Sequence, residues 1–157
     1  MKHISNYITE SKSSLRRIMD TELKKPGNHM LIGSPIPGET SGWHTDIAEE
    51  YGIGELMIYY KWPDDTKKAT GSDMPAIDLT ELNIQKNARG KGCARRVLKE
   101  ICDWCDENNF ILTGDPDDMF GSDLKGLYKL YAEFDMLPNP MYDPKSHPYS
   151  KIIRWPK

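Results

Sequence analysis

The loop Asn87-Ala88-Arg89-Gly90-Lys91-Gly92 joins a strand-like run, Ala76 to Ile84, to a strongly helical one, Cys93 to Asn108. A strand that passes through a glycine turn into an amphipathic helix commits the chain to a mixed fold, with that helix packed on a sheet. The same junction offers a docking place for phosphate. Glycine lets the backbone approach a ligand closely and take up positive φ. The first helical turn leaves its N–H groups unpaired, and the aligned peptide dipoles draw anions to that end. Arg89 and Lys91 add positive charge beside them. The pattern names a pyrophosphate as the ligand class.

Two common phosphate motifs do not fit. A P-loop has four residues between its glycines and then Lys with Ser or Thr, whereas the chain reads Gly90-Lys91-Gly92-Cys93-Ala94. A dinucleotide fingerprint needs a third glycine where Arg95 stands. By itself the loop fits a basic turn capping a surface helix equally well.

The strand ahead of the loop is irregular. Its apolar residues alternate at Ile77 and Leu79, then at Leu82 and Ile84, and the two pairs are out of phase by one residue. A β-bulge near Thr80-Glu81 reconciles them. A strand buried on both faces also tolerates broken alternation. Downstream, Asp123 to Ala132 has helical spacing at Leu124, Leu127, Tyr128 and Tyr131, and Phe134-Asp135-Met136 follows as a turn.

These three features together resemble the GNAT N-acetyltransferase superfamily. Its acyl-CoA loop, Gln/Arg-x-x-Gly-x-Gly/Ala, is similar to Asn87 through Gly92, with Asn87 in place of the usual Gln or Arg and Ala94 as a further small residue. Its C-terminal Leu-Tyr-x-x-Leu-Gly-Phe is similar to Leu130-Tyr131 and Phe134-Asp135-Met136, with Asp135 at the usual glycine. Asp tolerates left-handed geometry better than most residues. The resemblance covers Ala76 to Met136.

It implies an α+β fold: a central, mostly antiparallel mixed sheet with a splayed, bulged strand, flanked by helices. It also implies an enzyme that transfers an acetyl group from acetyl-CoA to a primary amine by direct attack on the thioester. The loop residues Arg89, Gly90, Lys91, Gly92, Cys93 and Ala94 would then hold the diphosphate, and Leu82, Asn83 and Ile84 would pair with the pantetheine amides as another strand would. A bulged N–H near Leu82 would donate to the thioester oxygen. Tyr131 is the implied general acid for the CoA sulfur, with Tyr128 in reserve. Glu81 is the candidate general base, with Asp78 and Asp115 as alternatives. The plainer reading of Tyr131 is a core tyrosine on an amphipathic helix. A non-catalytic acyl-CoA-binding module and a protein-interaction domain are the competing functions.

A chain of 157 residues is expected to form one domain, 1–157. Its net charge of −3 argues against a nucleic-acid partner, and no apolar run approaches membrane-spanning length. Three cysteines and no evident leader favour a reducing cytoplasm. Cys102 and Cys105 form a CxxC without a second pair, so no metal is expected and both fall on the buried stripe with Ala94, Val97, Leu98 and Ile101. Cys93 reads as a small residue in a tight loop.

Elsewhere the spacing predicts a first helix from Ile4 to Leu23, strands at Met30 to Gly33, Glu55 to Trp62, Phe110 to Thr113 and Ser150 to Trp155, and loops at Ser34 to Gly42 and Pro63 to Asp73. Ser122 or Asp123 would cap the last helix. His3, His29, His44 and His147 are scattered; His44 either reaches a pocket or sits on the surface. The acceptor, a small-molecule or peptide amine, is not readable, although Glu49, Glu50 and Glu55 among aromatic residues would favour a cationic one. Oligomeric state, homodimer included, stays open.

Overall fold

Helices alternate with strands along most of the chain. The computed structural model describes residues 12–33, 43–116, 124–145 and 150–157. In chain order these form α1 (Ser14–Glu22), β1 (His29–Gly33), α2 (Thr45–Tyr51), β2 (Ile53–Tyr60), α3 (Pro63–Thr70), β3 (Ala76–Ile84), a 3-10 turn (Lys86–Ala88), α4 (Cys93–Asn108), β4 (Ile111–Gly114), α5 (Leu124–Ala132), β5 (Leu137–Pro138) and β6 (Ile152–Arg154). The six strands make one mixed sheet in the order β1-β2-β3-β4-β6-β5. Every pairing is antiparallel except β3 with β4. That exception follows from α4, the crossover that two consecutive parallel strands require. The α+β class with a mostly antiparallel mixed sheet holds.

The main core lies between the sheet and the helices. Val97, Leu98, Ile101 and Cys105 of α4 are fully buried against Ile77, Leu112 and Ile152. Burying each large aliphatic side chain contributes about 1.5–3 kcal/mol. Trp104 joins this stripe, with Nε1 donating to Asp20 of α1 at 2.9 Å. The intervening residues Ala76, Ile111 and Ile153 gather with Met74 in a second, smaller cluster, so the first half of β3 is buried on both faces.

Local sequence explains most boundaries and several departures from expectation. The first helix does not run unbroken from Ile4. Ser13 is extended and its side chain accepts from Arg16 N–H at 3.2 Å, which makes it an N-cap. Residues 4–11, the loop 34–42 and the proposed caps Ser122 and Asp123 lie outside the described residues.

Pro63 to Thr70, expected as a polar connection, is α3. Pro stands in its first turn with Asp64 and Asp65, Lys67 and Lys68 lie in its last, and Gly71 ends it at φ 75°. Those are helix signals at both ends; only a long apolar stripe is missing. The short helix α2 was also not expected; Gly52 at φ 70° closes it. The expected strands exist with shifted ends: β2 starts and stops two residues earlier, and β4 and β6 are offset by one or two. None of the helices among the described residues is long and apolar enough to cross a membrane.

Candidate functional site

Two register irregularities lie where β2 and β3 pair beside the site. Met57 of β2 pairs with Glu81 while the next residue, Ile58, pairs with Leu79. Thr80 is thus the extra residue of a β-bulge, at the position where the two apolar pairs fall out of phase. A second irregularity sits at Gly54, between the pairs Ile53–Ile84 and Glu55–Asn83. A side chain at Gly54 would meet that of Asn83, which would have to move aside.

On its other edge β3 pairs with β4 from Ala76 to Leu79, where the last pair is Leu79–Gly114. Strand β4 then ends and β3 runs on to Ile84. The two parallel strands therefore fork, and the edge of β3 from Thr80 to Ile84 opens into a cavity of about 400 Å³. Cavities outside the carboxyl ends of parallel strands are where mixed sheets bind ligands.

The glycine loop closes one end of this cavity. Gly90 and Gly92 have φ of 77° and 78°, and a Cβ built on either would meet nothing within 4 Å. Glycine is needed there for backbone conformation, and the space beyond it is open. The first i→i−4 bond of α4 runs from Arg96 N–H to Gly92 C=O at 3.1 Å, so the amides of Cys93, Ala94 and Arg95 precede the helical ladder. Neighbouring parts brace the loop. Arg89 Nε donates to Ile84 C=O at 3.1 Å, and Gln85 reaches Ile53 C=O at 3.0 Å and Gly52 C=O at 2.9 Å through its side chain and amide respectively. Gly52 lets α2 approach, because a Cβ there would stand 2.8 Å from Ala88 Cβ and 3.0 Å from Cys93 Sγ.

Helix α5 closes the other side. Tyr131, 8% exposed, lines the cavity with Leu127 and Leu130. After it the chain turns in a Schellman arrangement: Met136 N–H donates to Tyr131 C=O at 3.1 Å and Asp135 N–H to Ala132 C=O at 3.0 Å. Asp135 takes the left-handed conformation, φ 62°, that the turn requires. The turn drives Met136 into the core, where it too lines the cavity.

Most of the residues chosen from sequence therefore converge. Tyr131, Glu81, Leu82, Asn83, Ile84, Arg89, Gly90, Gly92, Cys93 and Ala94 all line one cavity. Lys91 does not; its side chain is exposed. Nor does Tyr128. Of the alternative bases, Asp115 lines the cavity and pairs with Lys151 at 3.2 Å. Asp78 is buried behind the fork and does not. His44 Nε2 lies 2.9 Å from Glu22, and Glu50 is engaged with Ser14 and Arg96; neither lines the cavity. Charge along the cavity is divided, with Arg89 and Arg95 at the loop end and Glu81 and Asp115 near the fork. Arg95 is oriented by Glu133 through two bonds of 2.9 and 3.1 Å.

Sequence reasoning did not find Gly114 and Ile152. The glycine that ends β4 was the available signal, since a residue without a side chain leaves room at the fork. Burial pushes the Cys102 thiol up to about 11 and that of Cys105 well above its ordinary value. Both are core residues, and no group of metal-binding side chains occurs among the described residues. The sequence matches no protein-family model and no curated protein.

Proposed function

We propose that this chain is an acyl-CoA N-acyltransferase of the GNAT type, transferring an acetyl group from acetyl-CoA to a primary amine. The observation that carries the reading is the joining of two sites in one cavity. A helix-terminal glycine loop suited to a diphosphate opens onto a strand edge freed by a bulge and a fork. A plain anion site has no use for the second half, and a protein-interaction loop has no use for either.

Each group has a role in this chemistry. The amides between Gly90 and Arg95 hold the diphosphate. The free edge from Leu82 to Ile84 pairs with the amides of the pantetheine arm, which brings the thioester toward the bulge. An alkylamine with an ordinary pKa near 10.4 must shed a proton before attack; Glu81 takes it, directly or through a water. The amine nitrogen then bonds to the carbonyl carbon, main-chain donors of the bulge steady the oxyanion, and the C–S bond breaks. Tyr131 protonates the departing thiolate.

Titration calorimetry with acetyl-CoA, followed by thiol release with a panel of primary amines, tests the proposal. Micromolar binding and amine-dependent release of CoA are expected. Binding without release for any amine would favour a non-catalytic acyl-CoA-binding module. Absence of binding would sink the reading.

A further inference from the structure

Asp78 is a carboxylate in the middle of a sheet, 4% exposed, on a strand whose other buried positions are apolar. A buried carboxyl is expensive unless it is hydrogen-bonded. Both of its oxygens are bonded. Thr113 Oγ1 donates to Oδ1 at 2.7 Å, and Thr80 Oγ1 donates to Oδ2 at 3.0 Å.

The partners are informative. Thr80 is the extra residue of the bulge, and Thr113 immediately precedes Gly114, the last residue of β4. The carboxyl group thus bridges the two strands at the fork and grips the bulged residue from behind. Burial pushes this carboxyl up; the charge of Lys61 and the two threonine hydroxyls oppose that, and Asp115 adds to it. Thr80 is the extra residue between the pairs Met57–Glu81 and Ile58–Leu79, so its position sets the local backbone geometry of the bulge.

We propose that Asp78 is a positioning residue, which through Thr80 and Thr113 holds the bulge in the one geometry that aims its main-chain donors at the acyl carbonyl. The inference rests on the acyl-CoA reading. Asp78 touches neither cofactor nor acceptor; it acts on the reacting end of the cavity while leaving the diphosphate loop alone.

The test uses carbonyl-labelled acetyl-CoA bound to the full chain. Isotope-edited infrared difference spectra report the thioester carbonyl stretch, and calorimetry reports affinity. In the wild type, donors at the bulge should move the stretch below its value in solution. In D78N and in T80V that shift should be lost, with affinity staying within about threefold because the diphosphate loop carries binding. T80V removes one hydrogen bond and no charge, so it carries the test if D78N does not fold. An unchanged carbonyl frequency in folded T80V, or a shift and affinity lost together, would overturn the role of Asp78. Failure of the wild type to bind acetyl-CoA is a separate result that removes the acyl-CoA reading and this inference with it.

Discussion

Arg154 of β6 meets Asp106 of α4 in a two-pronged ion pair, Nη1 to Oδ1 at 2.8 Å and Nη2 to Oδ2 at 2.9 Å. The guanidinium is 5% exposed, and its Nε donates to Phe134 C=O at 2.9 Å. One side chain therefore ties α4, β6 and the turn that follows Tyr131. Through Nε this side chain adds to the β5–β6 pairing and the buried Met136 in fixing that turn against the sheet.

Asp106 accordingly sets an acid-dependent part of the stability. The hydrogen bonds from Arg154 hold its carboxyl below the ordinary value of 3.8. A depressed carboxylate contributes stability that is present above the unfolded pKa and is lost as pH falls through the folded one. D106N should lose about 1.5–3 kcal/mol at neutral pH and show a shallower decline between about pH 5 and 3. Urea unfolding across that range checks it; parallel curves for wild type and variant would contradict the assignment.

Gly92→Ala separates backbone strain from ligand exclusion. Placing alanine at φ 78° costs roughly 1–2 kcal/mol of stability. Because the new methyl faces open space where the diphosphate is proposed to sit, acetyl-CoA affinity should fall roughly tenfold or more, about 1.4 kcal/mol. Gly71→Ala is the control, with φ 75° and only ordinary contacts to Met141. It should lose similar stability and no affinity. Calorimetry and thermal melts on both variants decide the matter.

Tyr131→Phe should lower turnover about a hundredfold, the scale of one general acid, with acetyl-CoA affinity nearly unchanged. Tyr128→Phe should have little effect, since Tyr128 does not line the cavity. Steady-state kinetics with any active amine distinguishes the two tyrosines. Equal effects would return Tyr131 to a packing role.

Thiol chemistry reports the site without needing an acceptor. Cys93 is partly exposed and lines the cavity, whereas Cys102 and Cys105 are buried with raised thiols. One thiol should react quickly with iodoacetamide, the reactive species being the thiolate, and acetyl-CoA should protect it. Peptide mapping that finds Cys102 modified first, or no protection at Cys93, would count against the placement of the ligand.

The sequence by itself determined the features written in local periodicity and glycine placement. The phase slip between Leu79 and Leu82 pointed to a bulge near Thr80-Glu81, and the strand pairing puts the extra residue at Thr80. Gly90 and Gly92 located the loop, because positive φ is cheap only there. The left-handed Asp135 was legible because it stands where the resemblance has glycine and Asp tolerates that geometry better than most residues. The helices α2 and α3 were not foreseen, since their signals are caps and charges on elements too short to show an apolar stripe. Only the tertiary structure decided where β3 and β4 part, because strand pairing joins residues distant in the chain. It also decided the duties of the carboxylates. Glu81 and Asp78 are three residues apart and look alike in sequence. One lines the cavity and the other is sealed behind the fork, a difference made by where β4 ends: it covers β3 at Asp78 and stops before Glu81.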